Sequence, residues 1–138
     1  MVRGDRTYPL TVEITEWEMS PHPQVPERKQ AVHFGYRSTK AEPLPEAVVE
    51  LAACAVDSAD VVLLCDHITV HDAPGDPRVA EGDSWIGAGS DRDVSDTVAV
   101  VLLPDQLRGD LYPPGDPKDD DGYVPPRTPR PGDRLRLG

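Results

Sequence analysis

The densest group of side chains able to do chemistry is Cys65, Asp66, His67, His71, Asp72 and Asp76. Thiolate, imidazole and carboxylate are the donors that hold Zn²⁺, so Cys65, Asp66, His67 and His71 are the candidate metal ligands and zinc is the ion they would take. On a strand, Cys65, His67, Thr69 and His71 share one face, with the two imidazoles set wide for a single ion. On a helix, His67 and His71 are an i, i+4 pair well suited to zinc. The group has no distinctive third-ligand pattern. A strand end carrying polar residues into a loop accounts for it more simply, so the expectation is no cofactor, with zinc as the alternative.

Other constellations fail on spacing. Asp91, Asp93, Ser95 and Asp96 open like a calcium loop, but Asp96 stands where the turn glycine belongs and Leu102 where the bidentate glutamate belongs. Asp119, Asp120, Asp121 and Gly122 have Pro117 at the first ligand position. Gly82-Asp83-Ser84 lacks the second glycine of a nucleophile elbow, since Ile86 occupies its place, and all four histidines precede Ser84. Cys54, set among Ala52, Ala53 and Ala55, and Cys65, ending an apolar run, read as small buried hydrophobes. One further group is drawn together by parity alone. His22, His33 and Arg37, with Glu13 and Glu16, gather on the polar face of the first two strands, where they can bind a small ligand or pass protons. An ordinary solvated sheet face is the simpler reading.

The elements that must position these residues are marked out by proline. Sixteen prolines are present, none in 46–73 or 78–103, and eight from Pro104 onward. Proline fixes φ and lacks a backbone donor, so the two proline-free blocks are where regular structure can form. Residues 8–19 alternate, with Leu10, Val12 and Ile14 on one face. Trp17 and Met19 fall on the opposite parity, which requires a bulge near Thr15 or two halves facing different partners. Residues 31–38 alternate again through Val32, Phe34 and Tyr36 and are expected to pair antiparallel with the first strand. Residues 43–59 read as a helix, with Val48, Leu51, Ala52, Ala55 and Ala59 on one apolar face. Residues 60–71 and 94–103 read as strands, 72–93 as a polar, glycine-rich loop carrying the island Trp85-Ile86, and 104–107 as a short helical turn.

The expected fold class is therefore α+β in the order β-β-α-β-β. One helix packs on a mostly antiparallel four-stranded sheet, with an extended Pro/Asp/Gly-rich C-terminal tail. A single domain is expected over 1–104 and a tail over 105–138, in which 133–138 can add a terminal edge strand.

Composition narrows function by exclusion. The net charge is −11, from 25 acids against 14 bases, and no basic cluster precedes the C-terminus, so direct nucleic-acid binding is not expected. No uninterrupted apolar run exceeds six residues, too short to span a bilayer, and 1–15 has charges and a proline where a leader would be apolar. The expected compartment is the cytoplasm. The expected function is that of a non-enzymatic interaction or assembly protein: an accessory, inhibitor or immunity-type protein, or a particle subunit. It would use an acidic surface and the tail to meet a protein partner or to self-associate into an oligomer. Trp17, Trp85, Tyr112 and Tyr123 are the expected anchors. The alternative is a small metal-binding protein or enzyme built on 65–76.

Overall fold

A computed structural model of the chain describes residues 2–3, 6–7, 10–21, 30–40, 47–72, 79–88, 92–108 and 128–135. The strands are β1 (Val2–Arg3), β2 (Arg6–Thr7), β3 (Leu10–Ser20), β4 (Ala31–Lys40), β5 (Ala47–Val56), β6 (Val62–Asp72), β7 (Val79–Ile86) and β8 (Ala99–Arg108). β1 and β2 form a minimal ladder. The other six make two antiparallel three-stranded sheets, in the orders β3-β4-β7 and β6-β5-β8.

β3 and β4 form where alternation predicts them, and they pair antiparallel. The change of parity in β3 is resolved by a bulge between Ile14 and Glu16. One extra residue there lets Val12 and Ile14 before it, and Trp17 and Met19 after it, all pack on the core.

The two sheets pack face to face. Val32, Phe34 and Ile86 from the first sheet meet Leu51, Ala53, Ala55, Ile68 and Val70 from the second, with Val94 joining them from the segment before β8. Thr97 turns that segment back, its Oγ1 donating to the Val94 carbonyl at 2.6 Å.

The expected α+β class and its keyword are overturned: the structure is all-β, with no helix among the described residues. The segment read as the helix face is β5. Leu51, Ala52, Ala53, Cys54, Ala55 and Val56 are all buried, so both faces of this strand are covered. An uninterrupted apolar run satisfies the helical and the strand period equally. Burial on two sides then decides in favour of the strand, although alanine by itself favours helix. Two smaller readings change with it. Strand β8 begins at Ala99 rather than Val94, and it continues through Pro104, where a helical turn was expected. Pro104 pairs with Leu51 beside a register shift, in an edge strand, which is where a sheet tolerates a residue without an N–H. The loop read over 72–93 contains β7.

The C-terminal segment 128–135 lies along the start of β6. Val62 N–H donates to the Asp133 carbonyl (2.7 Å), Gly132 N–H to Val62 (2.8 Å) and Leu135 N–H to Asp60 (2.8 Å). Arg130-Pro131-Gly132-Asp133 form a tight turn, closed by Asp133 N–H on the Arg130 carbonyl at 3.0 Å. Gly132 has φ 94°, a conformation that glycine adopts without steric cost and that a type II turn requires after proline. Among the described residues no helix is long and apolar enough to cross a membrane.

Gly82 faces Tyr36 across β4 and β7, and a Cβ at Gly82 would lie 2.5 Å from the Tyr36 hydroxyl. Gly82→Ala is expected to lower stability by about 1–3 kcal/mol, measured by urea unfolding; an unchanged midpoint would show that the tyrosine ring does not lie over the glycine.

Candidate functional site on the outer face of the β3-β4-β7 sheet

Side chains alternate along a strand, so the residues between the core positions of β3, β4 and β7 face outward together. Cross-strand register sorts them into three rows: Glu18, His33 and Trp85; Glu16, Gly35 and Asp83; Glu13, Arg37 and Glu81. Five carboxylates thus surround one guanidinium and one imidazole.

The central strand holds the imidazole and the guanidinium in place. His33 Nε2 lies 2.6 Å from Asp83 Oδ2, and its Nδ1 is 3.8 Å from Glu18 Oε1. A carboxylate only accepts, so the hydrogen of the short contact is on Nε2. The imidazole stacks on Trp85, with ring centroids 4.3 Å apart and planes 11° from parallel. Arg37 donates from Nε (3.2 Å) and Nη2 (2.8 Å) to one oxygen of Glu81. That hydrogen bond, then the charge of Glu81, raise the guanidinium pKa above its ordinary value against an opposing effect of burial, with a lesser upward push from Glu13.

The centre of the face has no side chain. Gly35 leaves a concavity of about 140 Å³ lined by Glu16, Trp17, Glu18, His33, Gly35 and Asp83. A Cβ there would sit 2.9 Å from Thr15 Oγ1 and 3.4 Å from Glu16 Cγ, so even alanine would crowd it. Ser84, paired with the core residue Phe34, lies on the inward parity of β7 and presents no nucleophile to this face. Acceptor oxygens around a recess suit a cationic group.

The residues expected from sequence are dispersed. Trp17 is half-buried and packs against the core from the inward side of β3. Trp85 belongs to the outer face. Tyr112 and Tyr123 lie outside the described residues, as does His22.

The candidate zinc ligands divide between the two faces of β6. Cys65 forms a disulfide with Cys54, directly opposite it on β5, which replaces the reading of both as free hydrophobes. In that state Cys65 has no thiolate to donate. Asp66 lies on the inward parity, and its Oδ2 accepts the Gly87 N–H at 2.9 Å, linking β6 to the end of β7. His67 shares the outward parity with Cys65, and its Nε2 is 3.4 Å from Thr128 Oγ1. The His71 side chain is outside the described set, and four residues of strand separate its Cα from that of His67 by about 13 Å. Among the described residues no three His, Cys, Asp or Glu side chains gather as a metal site.

Parity brought His33, Arg37, Glu13 and Glu16 together correctly. It missed Glu18, which follows from Glu16 two residues on. It also missed Glu81 and Asp83, because β7 was not recognised as a strand. Comparison with known proteins gives no match, whether to a family model, a curated protein or a solved structure.

Asp66→Ala is expected to leave the Gly87 N–H unpaired at the junction of the sheets and to cost about 1–3 kcal/mol, read by denaturant unfolding. A variant as stable as the parent would show that the carboxylate does not tie the sheets.

Proposed function

We propose that the chain is a non-enzymatic interaction protein that docks a basic segment of a protein partner on the outer face of the β3-β4-β7 sheet. The observation that carries this reading is the Gly35 recess, walled by Glu16, Glu18 and Asp83 and bordered by the stacked His33–Trp85 pair. An arginine or lysine side chain laid across the recess meets carboxylate oxygens on two sides. Within the face itself Asp83 is engaged by His33 and Glu81 by Arg37, while Glu16 has no ion-pair partner among the described residues. The net charge of −11 steers a basic partner toward the molecule, and the recess determines where it lands. Trp85, one of the anchors expected from sequence, stacks on His33 and so backs the ring that borders the recess.

The compartment enters the same reading. A Cys54–Cys65 bond persists in oxidising surroundings and is reduced in the cytosol. If the chain resides in the cytoplasm, as its sequence leads one to expect, it works with this pair as thiols.

The test is titration of the full chain with a hexa-arginine peptide at low and moderate salt, followed by isothermal calorimetry. Binding should weaken with salt. It should fall about tenfold when Glu16→Gln and Asp83→Asn are combined, equivalent to roughly 1.4 kcal/mol. Asp60→Asn and Asp96→Asn combined, which remove the same two charges elsewhere, should change it little. Equal losses from both sets of variants would show diffuse attraction to an acidic protein and defeat the assignment of a site.

A further inference from the structure

A second apolar cluster lies on the other side of β5. Ala52, Cys54 and Val56 are buried there, and Cys65, Val101, Leu103 and Leu135 pack against them. All but Leu135 are carried on strands of the β6-β5-β8 sheet. Leu135 arrives on the C-terminal segment, which is seated against the β5–β6 turn by its backbone hydrogen bonds and by Arg134 Nε donating to the Ala59 carbonyl at 3.2 Å. The disulfide lies within the same cluster as Leu135, and Cys54 is completely enclosed.

We propose that residues 128–135 form a strap whose docking is controlled by the redox state of Cys54 and Cys65: seated when the pair is bonded, released when it is reduced. A dithiol reductant supplies the chemistry. Its thiolate attacks one sulfur of the bond and expels the other as a thiolate, forming a mixed disulfide. Its second thiol then displaces the protein sulfur. The protein pair gains two electrons and two protons and becomes two thiols, and the reductant leaves as its disulfide.

The consequence is steric. Bonded sulfurs sit about 2 Å apart, whereas non-bonded ones need roughly 3.5–4 Å. Cys65 is half-buried but Cys54 is enclosed, so the added room around Cys54 comes from its neighbours. β5 is held by ladders on both edges and by the core beneath it, and Val101 and Leu103 are held by β8. Leu135 is the one member of the cluster not carried on a sheet strand, so it is the one that yields. Release uncovers the apolar strip of Ala52, Cys54 and Val56 and frees the edge of β6 at Val62.

Amide hydrogen exchange on the full chain, with and without dithiothreitol, tests this. The amides of Gly132, Leu135 and Val62, which donate in the strap contacts, should exchange at least tenfold faster after reduction, while those of β4 and β7 keep their rates. Leu135→Ser should produce the same local acceleration in the oxidised protein. The double variant Cys54→Ala, Cys65→Ala should no longer respond to dithiothreitol. Unchanged strap protection after reduction would overturn the proposal. So would loss of protection in every strand together, because the bond would then be a staple for the whole fold, and so would a dithiothreitol response that survives in the double variant.

Discussion

The burial of β5 on both faces is the constraint from which the rest of the structure follows. One face, with Leu51, Ala53 and Ala55, closes against the first sheet. The other, with Ala52, Cys54 and Val56, is flanked by Cys65, Val101 and Leu103 on the neighbouring strands and packed by Leu135 from the C-terminal segment. A strand enclosed in this way has no water for its backbone, so its N–H and C=O groups must be paired along both edges. β6 and β8 provide those ladders, which is why β5 is the central strand of its sheet. Small side chains suit the position. Alanine and cysteine let neighbouring layers approach closely, and the chain supplies few aromatic rings with which to fill a thicker core.

With β5 in place, the two outer faces take opposite characters. The outside of the β3-β4-β7 sheet carries acids around the Gly35 recess, with its imidazole and guanidinium already engaged by carboxylates on β7. The outside of the β6-β5-β8 sheet is apolar where the C-terminal segment lies across it. A polar face needs no cover. An apolar one does, and Leu135 with the hydrogen bonds around Val62 supplies part of it. The asymmetry gives the molecule one surface open to a charged partner and another already occupied by its own chain.

Alternation made the first sheet partly readable from sequence. The parity of Leu10 to Ile14 and the second run through Val32, Phe34 and Tyr36 together specified β3, β4 and their pairing, while the reversal at Trp17 and Met19 left a bulge near Thr15 as one of two readings. β7 escaped because its inward positions include Ala80, Gly82 and Ser84, which carry no hydrophobic signal, and only Ile86 marks the core face. β5 escaped for the opposite reason: an almost unbroken apolar run has no period to read. The disulfide was hidden by that choice. Cys54 and Cys65 face each other only once 47–56 is a strand hairpinned to β6. The candidate site was legible in proportion: the β3 and β4 residues followed from parity, and the β7 residues that complete the face did not. The turn at Pro131-Gly132 carries its own signature, whereas the place where it docks depends on β6 and cannot be read locally.

The account rests most directly on the conformation of residues 47–56, and backbone chemical shifts test it. For the isotopically labelled full chain, the account predicts Cα shifts below and Cβ shifts above their coil values throughout 47–56, with nuclear Overhauser contacts from Ala53 to both Asp66 and Leu102. Helical shifts over this stretch, with contacts running from each residue to the third one after it, would contradict the account.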